Sequence, residues 1–298
     1  MQSSIFSEIR DFFARGSVLS RLIGINLAIF VLVGIIRVLF FLFDAPSAYN
    51  GIINWFGVPS NTDTLLTRPW TLFTYMFLHF DLFHIFFNMF MLYIGGRLFR
   101  EFLGENRMTG TYLIGGLVGA LFFILAYNFF PVFSLDKHLA VAIGASASVL
   151  AIFIAAATYM PNYELPLIIL GRIKLKYIAI FFVVIDLLSI DKGNSGGHLA
   201  HLGGALWGFV YVMLLKSGKD PGKFVSMWVG ALGSIFNPKP KMRVEYRSKK
   251  PVSDEEYNRH RVENQKRMDH ILDKISKHGY QSLSSEEKEI LFRMSNKD

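Results

Sequence analysis

There is no cysteine among the 298 residues, which removes disulfides, thiol nucleophiles and thiolate metal sites together. Charge is scarce as well. Only 18% of residues are Asp, Glu, Lys or Arg, against 52% hydrophobic, a low charged share for a soluble chain of this length. A secretory signal is not expected: Glu8 and Asp11 interrupt the N-terminus, and the first apolar run is too long and lacks a small-residue cleavage site. No internal repeat is evident. The net charge of +8 invites a nucleic-acid reading. Much of that charge, however, flanks apolar runs in short loops or sits in the C-terminal tail, so membrane orientation explains it better and no nucleic-acid partner is expected.

What is present is clumped apolar sequence. Six runs can be drawn, at about 22–43, 82–99, 111–130, 139–160, 174–190 and 197–215. Each is near the length that crosses ~30 Å of hydrocarbon as a helix, the fifth being the shortest. Helices are required because lipid cannot satisfy free backbone groups. The expected fold class is an all-α membrane protein, a bundle of six transmembrane helices with a small helical hairpin appended. Arg10, Arg15 and Arg21 precede the first run, and Arg97, Arg100 and Arg107 follow the second. Arg172, Lys174 and Lys176 follow the fourth, and Lys216, Lys219 and Lys223 follow the sixth. The alternate loops hold mainly Arg68, Lys137 and Lys192. This asymmetry predicts a multi-pass protein of the cell inner membrane with both termini cytoplasmic.

The expected organisation is a cytoplasmic segment over 1–21, the bundle over 22–217, an interfacial helix and linker over 218–253, and a cytoplasmic helical hairpin over 254–298. The long loop at 44–81 carries Trp55, Phe56, Trp70 and Phe73 and reads as partly interfacial. Residues 224–236 place Phe224, Met227, Trp228, Ala231, Leu232, Ile235 and Phe236 on one helical face, as in an interfacial helix, with a short core helix as the alternative. Pro238, Pro240 and Pro251 mark the linker. Met268, Ile271, Leu272 and Ile275 recur at helical spacing, Gly279 ends that helix, and Ser284 to Glu287 forms a capping box that opens another. The hairpin is too short for a large core, so self-association or a cytoplasmic partner is expected.

Polar groups inside membrane runs cost free energy and call for explanation. Gly144-Ala145-Ser146-Ala147-Ser148 stands near the outer end of the fourth run; a lone membrane serine there would ordinarily bond a carbonyl one turn back. His201 stands in the sixth run beside a seam made by Gly204 and Gly208, which permits close helix contact. His198, one turn earlier, is expected to have a structural or loop role. His84 and Asn88 share one face of the second run and can both donate hydrogen bonds, as an oxyanion requires, or clamp two helices together. Asp81 is expected as the N-cap of that run and His79 as a loop anchor. Asp186 lies far along the fifth run from any obvious histidine; pairing or water exposure near the outer end is expected, and no catalytic role is assigned. Ser146, His201, His84 and Asn88 all fall toward the outer ends of their runs. Nucleophile, base and oxyanion donors at one depth make an acyl-transfer site.

These residues also carry a resemblance to the rhomboid family of intramembrane serine proteases. The matching pieces are Phe77-Leu78-His79 with His84 and Asn88, Gly144-Ala145-Ser146, and Ala200-His201 with Gly204 and Gly208. The resemblance covers about residues 20–215. It implies a six-helix core and a Ser146–His201 dyad without an aspartate. It also implies an oxyanion hole of His84, Asn88 and the Ser146 backbone, with membrane-inserted protein segments as substrates and no metal or cofactor. The sequence departs from the family pattern at Ala147, Leu150, Thr71 and Glu101. The C-terminal hairpin resembles tails on rhomboid-like proteins from Bacteroidetes-type bacteria. The 191–197 loop has the glycines of a movable cover. Two other classes stay open: a non-catalytic binder or escort of membrane helices, and a transporter using histidine and Asp186 as a proton path.

Overall fold

A computed structural model describes residues 5–14, 16–167, 171–236 and 253–295. These residues form two compact units divided between Pro238 and Lys239. In the first, α1 (Ile5–Ala14) leads into α2 (Val18–Leu42), and α3 (Pro46–Phe56), β1 (Val58–Pro59), α4 (Thr62–Thr67) and α5 (Thr71–Thr74) make up the long loop. The bundle continues with α6 (Leu82–Leu103), α7 (Met108–Phe129), β2 (Val141–Ala142) and α8 (Ser146–Tyr159). A hairpin of β3 (Glu164–Leu167) and β4 (Gly171–Lys174) precedes α9 (Leu175–Leu188), α10 (Ser195–Lys216) and α11 (Pro221–Phe236). The second unit holds α12 (Asp254–His278) and α13 (Ser285–Ser295).

Four helices among the described residues are long and apolar enough to cross a membrane: α2, α6, α7 with the turn before it, and α10. Large apolar side chains such as Val31, Leu32, Phe41, Phe83 and Phe181 are more than half exposed, the surface of a protein whose solvent is lipid. The expected fourth run needs a correction. Residues 139–145 are not helical; Val141 and Ala142 pair antiparallel with Pro59 and Val58, and Gly144 has φ 131°, where an L side chain is strained. The helix therefore begins only at Ser146. At 14 residues it is about 21 Å long.

Helix α8 is the axis of the bundle, with every residue from Ala147 to Ala157 buried. Its alanines face glycines, so backbones meet without side chains between them. A Cβ on Gly204 would lie 2.1 Å from the Ala147 carbonyl oxygen, and one on Gly208 2.4 Å from that of Ala151. On α7, a Cβ on Gly119 would lie 2.5 Å from the Ala147 Cβ. The seam inferred from Gly204 and Gly208 is thus the contact of α10 with α8.

The long loop is a folded element, and Trp55, Phe56, Trp70 and Phe73 stay exposed on it. Ser60 Oγ donates to the Lys137 and Ala140 carbonyls at 2.7 and 3.0 Å. Trp70 Nε1 donates to the Trp55 carbonyl at 2.9 Å, and the two indoles stand 5.3 Å apart. Tyr75 reaches furthest inward: its hydroxyl donates to Gly116 O at 2.6 Å, and its own carbonyl accepts from Gly144 N at 2.9 Å. The loop thereby pins the strand that enters α8.

Helix α11 is docked on α7. Gly110 and Gly222 bring the backbones together, and Gly110 N donates to Ser226 Oγ at 2.8 Å. Asp220 accepts from Arg107 Nε at 2.6 Å, Tyr211 Oη at 3.2 Å and Lys223 N at 3.0 Å. Burial pushes this carboxyl up, but Arg107 and the Lys223 amide outweigh it and leave the group below its ordinary value. Phe224, Met227 and Trp228 remain exposed on the opposite side; the side chains of Leu232, Ile235 and Phe236 lie outside the described set, as does the linker through Val252.

In the second unit the expected signals are all present. Gly279 ends α12 with φ 78°. Glu287 N donates to Ser284 Oγ at 3.2 Å while Ser284 N donates to Glu287 Oε2 at 2.7 Å, a reciprocal capping box. Lys274 Nζ adds two bonds of 2.9 Å to the same carboxylate. Lys274 first, then the Ser284 amide, hold Glu287 down to about 2.

Candidate active site

Ser146 is the first residue of α8, so its side chain stands at the open end of the buried axis. Directly before it, Gly144 leaves room for a ring: a Cβ there would lie 2.9 Å from His84 Nε2 and 3.5 Å from Ser146 Oγ. His84 and Ser146 therefore converge on one point, which only glycine leaves empty. His84 sits in the first turn of α6, where its backbone N–H donates to Asp81 Oδ1 at 2.9 Å; Asp81 is the expected N-cap. One turn on, Asn88 Nδ2 donates to the His84 carbonyl at 2.9 Å. The amide has two protons, so one N–H remains for a ligand.

His201 enters from α10. It stands one turn before Gly204, and Gly204 is pressed on Ala147, next to Ser146. The seam thus carries His201 to the level of the serine. Ser146, His201, His84 and Asn88 line one cavity of about 810 Å³, with Phe83, Phe87, Phe182 and Ile185 among its apolar walls. Ser148 does not share it. Its hydroxyl is buried against Gly116 and has no hydrogen-bond partner among the described residues.

Asp186, to which the sequence reading assigned no catalytic role, belongs to this cluster. Its Oδ1 is 2.8 Å from Nδ1 of His201 and 2.8 Å from Nδ1 of His198. The expected distance from any histidine is overturned by the chain reversal at 189–194, where Gly193 and Asn194 take positive φ. The reversal folds the end of α9 against the start of α10. The available signal was the i, i+3 pair of His198 and His201 facing one side of a helix. His198 is thus no loop residue, and His79 is buried edge-on against His84, with ring centroids 5.0 Å apart. Burial and then His84 push the His79 imidazole down to about 4, which keeps it neutral. Among the described residues, Asp186, His198 and His201 also form the one group whose ligand atoms could hold a metal ion, all within 4.8 Å. Two nitrogens on a single oxygen at 2.8 Å is the geometry of two hydrogen bonds.

A Rhomboid domain model matches residues 66–218, and a family of unknown function (DUF6576) matches 253–297. RHOMBOID-like protein 12, mitochondrial, of Arabidopsis thaliana is 31% identical over 147 residues, 46% of this chain and 44% of the relative. Presenilin-associated rhomboid-like protein, mitochondrial, of Rattus norvegicus is 24% identical over 204 residues, 63% of this chain and 49% of the relative. Inactive rhomboid-related protein 2 of Caenorhabditis elegans is 26% identical over 222 residues, 69% and 60% of the two chains. The chain spans about half the length of the curated relatives it matches. Since the domain match takes in more than half the chain and every residue that lines the cavity around Ser146, the chain belongs to the rhomboid family of membrane proteins.

Proposed function

We propose that the protein is an intramembrane serine endopeptidase acting on membrane proteins through a transmembrane segment. The observation that carries the reading is the single cavity shared by Ser146, His201, His84 and Asn88. Ser146 Oγ attacks the peptide carbonyl. His201 Nε2 takes the hydroxyl proton and returns it to the leaving amine. The oxyanion is held by His84, the free N–H of Asn88 and the Ser146 backbone amide. Water then releases the acyl group. A helix of about 21 Å cannot span ~30 Å of hydrocarbon, so a nucleophile at its first residue stands below the membrane surface. We place the protein in the cell inner membrane with both termini cytoplasmic, on the charge asymmetry of the loops. The tail, outside the site, serves self-association or a cytoplasmic partner.

A second reading, a binder or escort without catalysis, draws on the relative whose name describes that protein as inactive. A fluorophosphonate probe on the purified protein separates the two. The protease reading expects labelling that Ser146→Ala abolishes and Ser148→Ala preserves. Absence of labelling and of cleavage in the unmutated protein favours the binder; loss in Ser148→Ala alone reassigns the nucleophile.

A further inference from the structure

Helix α9 buries only two side chains, Leu175 at its start and Asp186 near its end. Phe182 and Val183 are half-buried against the core, while Phe181, Leu187 and Leu188 are each more than half accessible. Among the described residues Asp186 is also the one carboxylate in the buried class. A buried carboxylate on a lipid-facing helix is costly without donors, and both of its donors are histidines of α10. An ionised carboxylate only accepts, so each Nδ1 carries the proton it donates. For His201 this selects one tautomer, with the Nε2 lone pair left free. His201 lines the cavity that holds Ser146, whereas His198 does not.

We propose that Asp186 is a positioning residue for His201 and that His198 holds Asp186 in place, so that the working unit is Ser146–His201–Asp186 with a second imidazole behind it. The proposal rests on the reading of His201 as the base. Asp186 keeps the Nε2 lone pair available for the Ser146 proton. When that proton moves, the imidazolium forms 2.8 Å from a carboxylate that remains ionised. His198 restrains the same oxygen, which limits how far the carboxylate can swing away from His201. Asp186, His84, Asp81, Tyr127 and Ser146 line the cavity that His201 enters, and His198 lies behind Asp186.

The test uses the full-length protein in detergent and a fluorophosphonate–rhodamine probe. In Asp186→Asn the maximal labelling rate is expected to fall on the order of 10²-fold or more, because the amide also stabilises the wrong tautomer. The half-saturating probe concentration should stay within about threefold, since the group touches no ligand. Asp186→Glu should recover part of the rate. His198→Gln should lower the rate less than Asp186→Asn. An Asp186→Asn protein that is folded by thermal unfolding and labels within about threefold of the parent overturns the proposal. So does a loss that only tracks the folded fraction and is not recovered in Asp186→Glu. Should the variant not fold, histidine 15N spectra of the unmutated protein decide: an Nδ1–H tautomer at His201 supports the proposal and an Nε2–H tautomer overturns it. If the parent neither labels nor cleaves, the protease reading itself has failed; an active parent with an indifferent Asp186 fails the present inference alone.

Discussion

Replacing Gly204 by alanine tests the link between packing and chemistry. The added Cβ would sit 2.1 Å from the Ala147 carbonyl oxygen, 2.7 Å from its carbon and 2.9 Å from its Cα. Carbon–oxygen approaches of this kind settle at about 3.3–3.6 Å, so α10 and α8 must part locally by roughly 1 Å. The neighbour is backbone inside the buried stretch of α8 and cannot rotate away. Overpacking of this type costs about 1–3 kcal/mol. The same displacement acts one turn away on His201 and one residue away on Ser146. A misplacement of ~1 Å between reacting groups can lower turnover on the order of 10²-fold. Gly204→Ala should therefore unfold at lower temperature and, even where folded, label slowly with a fluorophosphonate. The assay is thermal unfolding beside labelling normalised to folded protein. A variant with parental melting temperature and parental labelling would refute the claim that this seam positions the dyad.

Three further outcomes are expected. Asn88→Ala should lower cleavage by roughly 10–10³-fold while the protein stays folded, because one of three oxyanion donors is lost; unchanged kinetics would leave Asn88 as a helix clamp. Truncation after Asn237 should leave bundle stability and cleavage nearly intact, since no residue of the cavity lies beyond it. Truncation after Ser217 removes α11 and with it the Asp220 bonds to Arg107 and Tyr211, so its melting temperature should fall; equal stability of the two forms would show that α11 contributes nothing to the bundle. In the tail, Glu287 is held at about 2 against an ordinary 4.5. Its folded value is depressed, so its contribution is full above 4.5 and fades as pH falls toward 2. Helix content of residues 253–298, followed by circular dichroism, should decline across that window, and Glu287→Gln should remove the pH dependence.

Sequence by itself determined what depends on local composition and spacing. Apolar runs too long for a soluble core dictated a membrane protein, and five of the six expected runs coincide with helices. Periodicity and caps placed the tail hairpin, because Ser284, Glu287 and Gly279 act within a turn of their own position. Small residues at i and i+4 marked Gly204 and Gly208 as a contact face, and common depth brought Ser146, His201, His84 and Asn88 together. Only the tertiary structure decided where α8 begins, since that depends on Val141 and Ala142 pairing with a strand some eighty residues earlier. Only it decided that Asp186 meets His201 and His198. Fifteen residues along the chain separate Asp186 from His201, a span that can be extended or reversed, and a tight turn with two positive-φ residues reduces it to 2.8 Å. A carboxylate's partner in lipid is set by which helix ends meet, and helix ends meet through packing that no single segment encodes.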